Sequence, residues 1–199
     1  MMVAKLNRGY KVLLVLDPQQ DLQLAEQRLG EALTSPLVNL DAQGSLGGDG
    51  TSEAMGWRAS GGSTRSVRLN SDREFGAAWV RITTERPADL VALRKLVSQV
   101  LPVCPLEVLR ERARTPEVWP GSLVMLMVST GRPVNADDLD ILKVALRVPD
   151  VRVKVAAATA ASLAKTPELL GALSEAASNE TDADAVRALE YAIASCGGG

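Results

Sequence analysis

Histidine is absent from the 199 residues, and with it go the Ser-His-Asp and Cys-His mechanisms, the imidazole general base and every His-ligated metal. What remains for chemistry is two cysteines, a knot of aspartates, a glycine-rich run and a set of arginines. Cys104 and Cys196 lie far apart and spell no C-x-x-C, so neither a zinc knuckle nor a thioredoxin-like motif nor a disulfide framework is written here. Cys104 stands between Pro102 and Pro105 with no base beside it, the setting of a small buried hydrophobe. Asp137, Asp138 and Asp140 have the charge for a divalent ion, but at a helix start the macrodipole accounts for them. Gly44-Ser-Leu-Gly-Gly-Asp-Gly50 gathers backbone N–H groups as a phosphate loop does. It lacks the Gly-Lys-Ser/Thr of a P-loop and the strand and helix that flank a dinucleotide turn. No catalytic residue, cofactor or metal site is expected.

The arginines are the remaining signal. Overall 22 Lys and Arg face 24 Asp and Glu, but residues 58–114 are net basic and the remainder net acidic. Arg58, Arg65, Arg68, Arg73, Arg81 and Arg86 surround one hairpin. They read either as a solvated strand face or as a basic face for nucleic acid over residues 58–86. Sheet-based RNA modules add exposed aromatics to such a face, and here only Phe75 and Trp79 offer themselves. Met55 and Trp57 are large apolar groups in a polar stretch, which either fold back onto the domain or anchor a partner.

The elements that must carry these residues follow from periodicity. Lys11 to Leu16 is an almost continuous apolar run stopped by Asp17-Pro18, the pattern of a buried strand. Leu22, Ala25, Leu29, Ala32 and Leu33 recur at helical spacing behind it, and Leu37 to Leu40 suits a short strand. Residues 42–63 hold seven glycines among Ser, Asp and Thr, which predicts a flexible loop. Val67 and Leu69, then Ala78, Val80 and Ile82, alternate with polar residues about a turn at Asn70 to Arg73, an antiparallel hairpin. Leu90, Leu93, Val97, Val100 and Leu101 line a second helix. The order suits an α+β fold: a ferredoxin-like two-layer α/β sandwich over residues 1–130.

Helical texture begins at Thr115. Thr115-Pro116-Glu117 and Thr166-Pro167-Glu168 carry the same start signal, Asn135 is a third, and Thr181 with Asp184 spells a capping box. Ser122 to Val128 is a short apolar run that fits a buried strand or a helix; the Gly131 to Pro133 break after it favours a strand completing the first sheet. Beyond it, leucines and alanines line four helices in two pairs over residues 131–199.

Pro149-Asp-Val-Arg-Val-Lys-Val-Ala-Ala-Ala-Thr-Ala-Ala-Ser-Leu-Ala164 resembles the second helix of a HEAT-like repeat of the PBS-lyase type. Asp184-Ala-Val-Arg-Ala-Leu-Glu-Tyr-Ala-Ile193 is similar to it. The resemblance covers residues 135–195 and implies stacked helix pairs, with Arg152 and Arg187 bridging neighbouring helices. Two copies fall short of the three a solenoid usually needs.

No run approaches the roughly 18 apolar residues of a membrane span, and Met1 to Arg8 shows no leader signal. The expectation is a cytoplasmic, non-enzymatic adaptor or scaffold docking another protein, or a second copy of itself, through its helical repeats. Trp57, Arg65, Arg68, Trp79, Arg152 and Arg187 are the candidate partner-binding residues. A nucleic-acid-binding regulator using the basic hairpin is the alternative.

Overall fold

The alternation at 66–72 and 77–84 becomes the middle of a sheet. Ser66–Asp72 (β5) and Ala77–Thr84 (β6) pair antiparallel, with Val67 opposite Ile82 and Leu69 opposite Val80. All four point inward and are at most 6% exposed. Gly76 turns the chain between them at φ +57, a conformation that costs any residue with a Cβ. The computed structural model describes residues 4–6, 9–36, 38–45, 52–60, 64–130 and 134–198. There β5 and β6 join Ala4–Leu6 (β1), Gly9–Val15 (β2), Leu40–Ser45 (β3) and Ser52–Ala59 (β4) in a six-stranded sheet ordered β1-β2-β6-β5-β4-β3.

Leu22–Leu33 (α1) and Pro87–Val100 (α2) pack on this sheet. Asp21 caps α1, its carboxylate accepting from the N–H groups of Gln23 and Leu24. Ala25, Leu29 and Leu33 of α1 and Leu90, Leu93 and Val97 of α2 share one core with Val12, Leu14, Leu40, Trp57, Val80 and Ile82. The unit is α+β and two-layered, but its order after β1 is β-α-β-β-β-β-α where a ferredoxin-like sandwich has β-α-β-β-α-β. Every neighbouring pair of strands is antiparallel.

The extra strands come from the stretch expected as a loop. Within 42–63, β3 runs to Ser45 and β4 spans Ser52–Ala59; 46–51 and 61–63, most of the phosphate-loop-like run among them, lie outside the described residues, as do Leu37 and the break at 131–133. Met55, Trp57 and Ala59 turn toward the core while Arg58 faces away. The β3–β4 register shifts between Ala42 and Gly44, leaving Gln43 as the extra residue of a bulge, and Gly44 takes φ +71 beside it.

This first compact unit is Met1–Cys104, and the second is Pro105–Gly199, whereas the sequence reading places the division after residue 130. The second unit is helical: Leu106–Ala113 (α3), Gly121–Thr130 (α4), Ala136–Ala145 (α5), Val151–Ala164 (α6), Leu170–Ser178 (α7) and Ala183–Gly197 (α8), with a 3-10 turn at Pro167–Leu169 before α7. The strand expected at 122–128 is α4. Its Leu123 to Met127 are buried on every side, a pattern that periodicity cannot assign, and α3 and α6 pack on it. Thr115-Pro116-Glu117 falls in a turn instead of starting a helix, and α8 is capped by Asp182, not by a box from Thr181.

Each even-numbered helix from α4 packs on the helix before it, and α4, α6 and α8 pack on one another in chain order. Ala156, Ala157, Ala160 and Ala161 of α6 are fully buried; their small side chains leave room for neighbours on several sides. The result is three consecutive helix pairs.

Candidate functional site

The second unit is tied together by charges that the sequence scatters. Arg110 of α3 donates from Nε to one carboxylate oxygen of Asp138 at 2.8 Å and from Nη2 to the other at 3.2 Å. Asp138 occupies the first turn of α5 and is completely buried. Asn135, the cap of that helix, accepts from the Asp138 N–H and donates to its carboxylate, both at 2.8 Å. The Asp138 side chain, through its hydrogen bonds above all, raises the Arg110 pKa further above its ordinary value. Lys154 of α6 pairs with Glu180, ahead of α8, and Arg147 after α5 reaches Glu175 of α7 at 3.5 Å. The Lys154 hydrogen bond, joined by the N–H groups of Asp182 and Thr181, lowers the Glu180 carboxyl to about 2.

Beside the Arg110–Asp138 pair a cavity of about 310 Å³ opens, lined by Ala113, Arg114, Pro116, Asp137, Asp140, Ile141, Val144 and Ala145. Its floor is apolar and its rim charged. Val144 is 62% exposed although it stands next to the buried Ala145. Asp140 pairs with Lys143, and Arg114 with Glu111.

The six residues singled out in the sequence are dispersed. Trp57 is only 3% exposed, packed in the core of the first unit, and is no anchor for a partner; alternation along β4 turns it inward. Arg65 donates from Nη2 to the Val38 carbonyl at 2.6 Å, tying β3's approach to the sheet. Arg152 and Arg187 do not bridge helices. Arg152 pairs with Asp150, its own helix cap, whose carboxyl it holds below the ordinary value, and Arg187 pairs with Asp184 one turn back. Arg68 and Trp79 alone come together, on the sheet face turned away from α1 and α2, where Arg68 stands opposite Arg81. Comparison with protein families, curated proteins and solved structures finds no match for the chain.

Sequence reasoning overlooks Arg110 and reads Asp138 only as a charge for the helix dipole. The spacing of Asn135 and Asp138 carries the signal, since a cap residue with an acid three positions later has the spacing of a capping box, though here the carboxylate accepts from the Asn135 side-chain amide and not from its backbone N–H. Arg110, a helix and a turn away, has no such signature. Among the described residues no group of three metal-ligating side chains forms, and both cysteines are buried and in no disulfide.

Proposed function

We propose that the chain is a non-enzymatic adaptor or scaffold whose HEAT-like helix pairs dock another protein. The observation carrying this reading is the stacking of α4, α6 and α8, each backed by its preceding helix. That makes three pairs, counting α3 and α4 ahead of the two the sequence suggests, and three is the number at which such an array sustains its own core. Arrays of this kind commonly present binding surfaces. The cavity beside α5 supplies a specific one, with Ile141, Val144 and Ala145 as an apolar seat and Asp137, Asp140 and Arg114 as a charged rim. The partner is then a segment with an aliphatic anchor and one basic group to meet Asp137, the rim carboxylate with no ion pair among the described residues. No helix among the described residues is long and apolar enough to cross a membrane, and two cysteines in no disulfide accord with a reducing cytoplasm.

The test is affinity capture of the tagged full chain after crosslinking in its native cells, with a nuclease-treated arm, followed by reconstitution with the purified partner. Val144→Glu and Asp140→Lys, both surface changes, are expected to weaken the reconstituted complex tenfold or more without altering the melting temperature. A complex indifferent to both variants, or one lost with nuclease, sinks the reading.

A further inference from the structure

The face of the first unit's sheet that α1 and α2 leave uncovered collects cations from four strands. Register fixes their arrangement. In one row Lys11 lies opposite Thr83, Thr83 opposite Ser66, and Ser66 opposite Arg58. Two residues along, Arg81 stands directly opposite Arg68. Two adjacent hydroxyl-bearing residues are thus flanked by a cation at each end of their row and by two more in the next. Strands lie about 4.8 Å apart, so the row from Lys11 to Arg58 spans roughly 14 Å.

This arrangement is unfavourable for the protein alone. Like charges directly opposed across strands destabilise a sheet. Burial and then Arg68 lower the pKa of Arg81, and burial and then Arg81 lower that of Lys11. None of the four cations has an ion-pair partner among the described residues. Asp41, opposite Arg58, accepts a hydrogen bond from Ser60 at 2.7 Å instead. Arg81 Nε and Thr64 Oγ1 are buried without a hydrogen-bond partner among the described residues, a state that costs free energy until an acceptor arrives. Thr64 lines a cavity of about 320 Å³ together with Gln43, Gly56, Arg58, Ser66 and Arg68. The half-buried Trp79 continues the face one row beyond Arg81, opposite Asn70.

We infer that this face binds single-stranded nucleic acid, with successive backbone phosphates along the Lys11–Thr83–Ser66–Arg58 row and over Arg68 and Arg81, and a base against Trp79. Charge complementarity requires a polyanion, and the length of the row exceeds what one phosphate can bridge. An aromatic ring beside a cationic track is the combination that holds unstacked bases; a purely acidic peptide leaves the ring unused. The inference rests on the first unit, and the adaptor reading rests on the second, so either can fail without the other.

The test is fluorescence anisotropy of the full chain with a labelled twelve-nucleotide oligo-dT and oligo-U at several salt concentrations, with melting curves confirming that each variant is folded. Binding is expected to weaken with salt at a log–log slope of about 2 to 3, as three or four neutralised phosphates on a single strand give. Arg68→Glu and Arg58→Glu, at exposed positions, are each expected to raise Kd at least tenfold and flatten that slope. Arg68→Lys is expected to keep most of the affinity, Trp79→Ala to lose it at an unchanged slope, and Arg94→Glu on α2 to change nothing. The inference is overturned by the absence of binding at 50 mM salt, by equal losses in Arg94→Glu and Arg68→Glu, by equal affinity for oligo-glutamate, which would mark an acidic protein partner, or by a mononucleotide that binds as tightly as the strand.

Discussion

Arg110 and Asp138 are joined by two nearly parallel hydrogen bonds across 28 positions of sequence, the carboxylate completely buried and the guanidinium side chain 26% exposed. This fork links the first helix pair of the second unit to the second. Breaking it is expected to be asymmetric. Arg110→Ala strands a buried carboxylate with Asn135 as its remaining side-chain partner among the described residues and should cost about 3–5 kcal/mol, as broken buried pairs do. Asp138→Asn keeps a hydrogen-bonding group in place and leaves a guanidinium that can turn to water, so it should cost less. Urea denaturation of the two variants decides it; equal losses would mean that the pair is solvated.

The Lys154–Glu180 pair sets a pH dependence. Glu180 titrates near 2 in the folded chain and near 4.3 when unfolded. Its folded pKa is the depressed one, so its contribution is fully present above about pH 4.5 and is lost as pH falls toward 2. Glu180→Gln should melt lower than the parent at neutral pH, with the gap closing as pH falls from 4.5 to 2. A gap that stays constant across that range would show that the pair contributes nothing through ionisation.

Trp57→Ala should cost about 3–5 kcal/mol, the range for deleting a large buried aromatic. Any loss of partner binding should follow the loss of folded protein and disappear on cooling. A variant that melts like the parent yet fails to bind would return Trp57 to the surface.

Lys165 ends α6 in the left-handed region at φ 47 and ψ 47, which costs a residue with a Cβ about 1 kcal/mol or more. Lys165→Gly should therefore raise stability by roughly 0.5–1 kcal/mol, after the extra freedom glycine brings to the unfolded chain. Differential scanning calorimetry that shows a lower melting temperature would mean that the lysine side chain contributes more than its backbone costs.

Where one face of an element meets the core and the other does not, the residues alone were enough. The two-residue period about Val67, Leu69, Ala78, Val80 and Ile82 identified the hairpin and the faces of Arg68, Trp79 and Arg81, because a strand puts alternate side chains on opposite sides; the turn, expected at Asn70 to Arg73, comes later, since β5 stays paired through Asp72. The stripes of α1 and α2 were read in the same way. That imidazole chemistry has no residue to run on within these 199 needed no structure at all.

Two kinds of information were missing from the chain taken one segment at a time. At 42–63 glycine and serine argue for a loop, yet strand preference depends on what lies alongside; β5 supplies the partner edge for β4, and the alternation of Met55, Trp57 and Ala59 then has a core to meet. At 122–128 an apolar run fits either a buried strand or a buried helix, and only α3 and α6 packed around it decide for the helix. The charged groupings are of the same kind. Lys11, Arg58, Arg68 and Arg81 share a face, and Arg110 meets Asp138, through strand register and helix packing between distant segments, which no local pattern of residues encodes.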